Sequence, residues 1–94
     1  YYPKKILNIH PSLLPKYGGR GMYGVNVHKA VLKNKEFETG ITIHFVNQNY
    51  DEGEIILQKK CAVSKNETLE SLGEKIRYLE FKYFPNTIEK TILK

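Results

Sequence analysis

Apolar positions along this chain recur in two rhythms, which divide it into strands and helices. Phe37–Val46 has a period of two. Phe37, Thr39, Ile41, Ile43 and Phe45 face one way, and Glu38, Gly40, Thr42, His44 and Val46 the other. This predicts a strand with Thr42 and His44 on its more polar face. Glu54–Lys60 alternates again, Ile55 and Leu57 against Ile56 and Gln58. The turn-rich link Asn47–Gly53 is short, which predicts an antiparallel hairpin between the two strands. Lys4–His10 reads as a further strand. Its apolar Ile6, Leu7 and Ile9 do not alternate cleanly, as in a strand covered on both faces of a parallel sheet.

The second rhythm is helical. Val27, Ala30 and Val31 share one face of a predicted helix Val25–Lys33, reached through a glycine-rich and proline-bounded loop, Pro11–Gly24. Leu69, Leu72, Ile76, Leu79 and Tyr83 form a longer apolar stripe, with Thr68 as N-cap and Glu70 in the first turn. Gly73 weakens that helix by about 1 kcal/mol relative to alanine. Pro85 is expected to break or kink it, with Asn86–Leu93 resuming. The order β, loop, α, β, β, α predicts an α/β fold with a mixed sheet. One short crossover helix and one long terminal helix give such a sheet thin cover. The chain also starts at Tyr1 and runs almost at once into a strand. Both features read as part of a longer protein.

Composition narrows the class. With 94 residues, 40% of them hydrophobic and 27% charged, the chain suits one small globular domain. No apolar run is long enough for a membrane span and the start has no signal-peptide core. Cys61 is the single cysteine, which fits a cytoplasmic, reducing setting. The net charge of +5 favours anionic partners. The cations are dispersed, however, and no zinc-finger spacing or arginine-rich tract calls for nucleic acid.

Chemistry concentrates in Asn8-Ile9-His10-Pro11-Ser12-Leu13-Leu14-Pro15. In a strand, Asn8 and His10 project to the same face. A hydrogen-bond donor then stands beside a titratable ring at a strand end, where open α/β sheets bind ligands. Asp51, in the turn after the His44 strand, is the natural acidic partner for His10. Its spacing alone suits a turn aspartate equally well. His28 reads as structural and Cys61 as packing. The loop Gly18–Gly24 matches no phosphate-binding fingerprint. Three widely spaced histidines and one remote cysteine make no metal-ligand pattern.

The same octet, extended through Lys16-Tyr17, closely resembles the signature of the folate-dependent formyltransferases. Thr42-Ile43-His44-Phe45-Val46, Asp51-Glu52-Gly53 and Ile55-Ile56-Leu57-Gln58 are similar to the second motif block of the phosphoribosylglycinamide formyltransferase family. The resemblance implies transfer of a formyl group from 10-formyltetrahydrofolate to the amine of glycinamide ribonucleotide in purine biosynthesis, with no metal. It implies a catalytic trio of Asn8, His10 and Asp51, with His44 and Gly53 at the substrate. It also implies that residues 1–94 are the C-terminal catalytic part of a Rossmann-like formyltransferase fold. The N-terminal half that holds the substrate phosphate is absent from this sequence. The loop Tyr17–Val27 is a few residues longer than the commonest family form. The expectation is therefore a fragment inactive alone, able to dimerise or to associate with the absent half. Two other readings remain at this stage. One is a formyltetrahydrofolate deformylase, and the other is a non-catalytic basic binding or assembly domain.

Overall fold

The computed structural model describes residues 7–46 and 54–91. Elements follow in the order β1 (Leu7–His10), α1 (Val25–Lys33), β2 (Glu38–Phe45), β3 (Ile55–Ala62) and α2 (Leu69–Thr91). The turn Asn47–Gly53, the first residues of the Lys4–His10 strand and the end of the last predicted helix lie outside the described residues.

The strands form one sheet in the order β1-β2-β3. The β2–β3 pairing is antiparallel, as the short link predicts, with Ile43 opposite Leu57 and an irregularity between Ile43 and His44. β1 also pairs antiparallel with β2, Asn8 opposite His44 and His10 opposite Thr42. Both described ladders are thus antiparallel. The parallel neighbour inferred for β1 could pair only with its other edge, which is open among the described residues.

Each face of β2 is buried by a different device. Ile41 and Ile43 face α2 and pack with Ile76 and Leu79, joined by Ile9, Leu57, Tyr83 and Phe84. Fully burying such side chains contributes about 1.5–3 kcal/mol each. The opposite face carries Thr42 and His44, polar in sequence but at most 1% exposed. The chain after β1 covers it. The Thr42 hydroxyl donates to the Ser12 carbonyl at 2.7 Å and accepts from the Leu14 N–H at 2.9 Å and the Gln58 amide at 2.9 Å. The Gln58 amide also donates to the Leu14 carbonyl at 2.9 Å. Gly40 permits the tight packing here, since a Cβ would stand 1.9 Å from the Lys59 carbonyl oxygen.

α1 spans the predicted residues, and Val27 and Val31 pack on Leu72 of α2. Thr68 caps α2 as predicted: its hydroxyl accepts the Ser71 N–H at 3.0 Å, while the Ser71 hydroxyl accepts the Thr68 N–H at 3.0 Å. Two expectations need correction. Pro85 does not break the helix, because α2 runs unbroken through it. Pro85 is exposed, and the turn around it is supported by side chains: the Thr87 hydroxyl donates to the Tyr83 carbonyl at 2.8 Å and Asn86 to the Lys82 carbonyl at 3.4 Å. Phe37 does not join the β2 core. It precedes the strand and is 88% exposed.

Candidate active site

Asn8 and His10 lie on the same face of β1, at the edge of the sheet. Both line a cavity of about 1150 Å³. The loop Gly19–Gly24 forms a second wall, and α2 forms a third through Gly73, Arg77 and Glu80. His28 of α1 closes the side between them.

His44 stands directly across the ladder from Asn8 and is 1% exposed. Its Nδ1 lies 2.9 Å from the Phe45 carbonyl oxygen, and its Nε2 lies 3.5 Å from the Asn8 amide nitrogen. A carbonyl only accepts, so Nδ1 carries the proton and Nε2 offers its lone pair to the amide. One Asn8 N–H is then aimed at His44. The other has no partner among the described residues. His44, taken from sequence for a substrate contact, thus lies within 3.5 Å of the Asn8 amide nitrogen.

His10 is held by a backbone atom. Its Nε2–H donates to the Tyr17 carbonyl at 2.8 Å. That leaves Nδ1 for other chemistry. Asp51 and Gly53, the remaining site residues read from sequence, lie outside the described residues.

The cavity also contains residues that sequence reading missed. Glu70, Gly73, Arg77 and Glu80 follow a 3-4-3 spacing, a polar row beside the apolar stripe of α2. That spacing was available in the sequence. Without a fold, however, it could not be told from a solvated helix face. Burial pushes the Glu80 carboxyl above its usual range, with the Arg77 guanidinium opposing. Burial likewise lowers the His28 imidazole, and Arg77 adds to the effect. Its buried Nδ1 has no hydrogen-bond partner among the described residues. His28 is therefore neutral near pH 7 and packs against Gly73, where a Cβ would lie 3.9 Å from its ring. Among the described residues no three His, Cys, Asp or Glu side chains gather as a metal site. No described helix is long and apolar enough to cross a membrane.

The arrangement offers an amide N–H and an imidazole to one cavity whose walls carry both cationic and anionic side chains. Such paired donors stabilise negative charge developing on a carbonyl oxygen. A family model described as formyl transferase matches residues 1–88. The chloroplastic phosphoribosylglycinamide formyltransferase of Arabidopsis thaliana is 47% identical over 87 residues, which are 93% of this chain and 30% of that protein. The trifunctional purine biosynthetic protein adenosine-3 of Bos taurus is 42% identical over 90% of this chain, which corresponds to 8% of its own length. Among solved structures, glycinamide ribonucleotide transformylase 1 from Symbiobacterium toebii matches 93% of this chain at TM-score 0.78 and 38% identity, with 39% of that chain covered. Phosphoribosylglycinamide formyltransferase from Bacillus halodurans matches 89% at TM-score 0.78 and 36% identity, with 41% covered. The chain thus spans less than half the length of each of these relatives.

Proposed function

Because this chain belongs to the formyl transferase family, we propose that it carries the catalytic part of an enzyme that moves a formyl group from 10-formyltetrahydrofolate to the amine of glycinamide ribonucleotide. The observation that carries the proposal is the placement of Asn8 and His10 on one strand face at one wall of a large cavity. A cavity of about 1150 Å³ is ample for small-molecule ligands. Arg20 and Arg77 on its walls suit an anionic substrate.

The donor supplies an electrophilic formyl carbon. The chain's own residues manage charge and protons. The free Asn8 N–H donates to the formyl oxygen as negative charge develops there. His10 donates beside it when protonated. Asp51 is assigned to keep His10 charged and to relay the proton released by the attacking amine, directly or through water, to the folate nitrogen that leaves as its bond to the formyl carbon breaks. His44 holds Asn8 in register. Gly53, two residues after Asp51, is assigned to the substrate wall. Binding of the substrate phosphate falls to the N-terminal half of the domain, and the reaction is assigned to the cytoplasm.

Formyl transfer is tested with the complete enzyme carrying this chain, by following tetrahydrofolate release with and without the ribonucleotide. Release that requires the ribonucleotide, together with formylated product, supports transfer. Equal release without it converts the reading to a deformylase. No release in either arm, in a folded protein that binds neither ligand, leaves a non-catalytic domain.

A further inference from the structure

We propose that Tyr17 is the positioning residue that selects which nitrogen of His10 faces the reacting atoms, an inference that rests on the formyl-transfer reading. The contact itself is the 2.8 Å hydrogen bond from His10 Nε2–H to the Tyr17 carbonyl. A backbone carbonyl can orient a ring only if its own peptide is held, and Tyr17 is held at both ends. Its ring packs against the cluster of Val27, Val31 and Leu72. Its hydroxyl donates to Glu36 Oε2 at 2.6 Å and accepts from Asn34 Nδ2 at 3.0 Å. Asn34 and Glu36 follow directly on α1. The end of that helix therefore fixes the phenol, and the phenol fixes the loop.

The backbone of Tyr17 points to the same conclusion. Its φ is 57°, in the left-handed region that a bulky side chain seldom enters. Such a conformation persists where the surroundings over-determine it, often at functional sites. The neighbouring turn adds further ties: Lys16 N–H donates to the Leu13 carbonyl at 3.0 Å, and the Ser12 hydroxyl to the Lys16 carbonyl at 2.6 Å.

The chemical consequence is specific. A carbonyl cannot donate, so the Nε2 proton stays on the ring in every protonation state that keeps this bond. Neutral His10 therefore presents a lone pair at Nδ1. A proton taken up there makes an imidazolium whose Nδ1–H is the donor toward substrate. Nε2 serves as a tether, and the loop between β1 and α1 sets the angle of the acid.

The test uses the complete enzyme with 15N-labelled histidine and the variants Tyr17→Phe, Tyr17→Gly, Glu36→Ala, Glu36→Gln and His10→Ala. Tyr17→Phe removes only the hydroxyl, whereas Tyr17→Gly keeps the left-handed backbone without strain and removes the whole anchor. Long-range 1H–15N spectra of the parent should show neutral His10 protonated at Nε2. In Tyr17→Phe and Glu36→Ala that signature should become a mixture of tautomers. Turnover should fall roughly tenfold to a hundredfold in these variants, since small misplacements of reacting groups are expensive. KM should stay within about twofold, because ground-state binding is untouched. Glu36→Gln, which still accepts from the phenol, should recover most of the loss. A parent His10 protonated at Nδ1 overturns the proposal. So does an unchanged tautomer and turnover in Tyr17→Phe while His10→Ala is inactive. Full turnover in His10→Ala instead removes the formyl-transfer role of His10, whatever the tautomer. If Tyr17→Gly does not fold, Tyr17→Phe alone decides.

Discussion

Asn8 shows what a single residue contributes when its neighbours are considered with it. Its side chain is exposed on β1, and its contact behind is His44. Removing the amide therefore leaves the hydrophobic core untouched while deleting the donor proposed for the developing charge. Asn8→Ala should lower turnover by about a hundredfold to a thousandfold. The melting temperature should move by less than about two degrees, as for a surface substitution. Steady-state kinetics and thermal melts on one preparation check both halves of this expectation. His44→Ala should instead do two kinds of damage. It frees the Asn8 amide and leaves a hole beside the fully buried Thr42 on the covered face of β2. Both turnover and melting temperature should drop, and that double loss distinguishes support from direct contact. Strand alternation alone placed Asn8 and His10 on one face, and His44 joined them only through the family resemblance. The sequence could not show that His44 stands directly across the ladder from Asn8, because that depends on cross-strand register.

At the scale of elements, two joints carry most of the specificity. The first is the start of α2. Glu67 accepts from Lys75 Nζ at 2.6 Å, from the Ser64 N–H at 3.0 Å, and from the Ser71 hydroxyl. These contacts, Lys75 first, hold its carboxyl down at about 2. A carboxyl lower in the folded than in the unfolded chain stabilises the fold above its ordinary value near 4.5. That stability is lost as the pH falls from there toward about 2. Melting curves across this acidic window should steepen in the parent and flatten in Glu67→Gln. The second joint is Gly40, where any side chain collides with the Lys59 backbone. Gly40→Ala should destabilise by about 1–3 kcal/mol or more, read from denaturant midpoints, because a backbone carbonyl cannot swing aside. Periodicity made these elements legible, down to the bounds of α1 and the cap at Thr68. It failed at Pro85 and Phe37 for physical reasons. A proline on an exposed helix face is tolerated when later side chains bond the carbonyls around it. An aromatic residue in phase with a strand is not buried if the strand begins one residue later. Tyr17 was also beyond reach, since neither its left-handed backbone nor its bond to His10 leaves a mark in a pattern of apolar positions.

The described residues form a slab of 46 × 26 × 16 Å with the candidate site at one margin. β1, which holds Asn8 and His10, is an edge strand among the described residues. An edge with unpaired N–H and C=O groups invites another strand. Beside it, Ile9, Phe81, Phe84 and Pro85 line a largely apolar recess, and Phe81 is 80% exposed. The relatives carry well over half their length outside the matched region. On the proposed reading, a second portion of a formyltransferase domain seated along β1 would roof the cavity and exclude water from it. Exclusion of water is what makes paired donors strong enough to stabilise an oxyanion. The 94 residues by themselves should therefore bind ligands weakly and give no measurable formyl transfer. Supplying the remaining segment of the domain, separately made or joined to this chain, should restore turnover. It should also bury Phe81 and Ile9, visible as protection of β1 and mid-α2 amides in hydrogen exchange. Size-exclusion with mass detection separates a one-to-one pairing with that segment from a dimer of this chain. Turnover by the isolated chain at the rate of the completed enzyme would refute the division of labour, because an unroofed edge strand would then be sufficient for the chemistry.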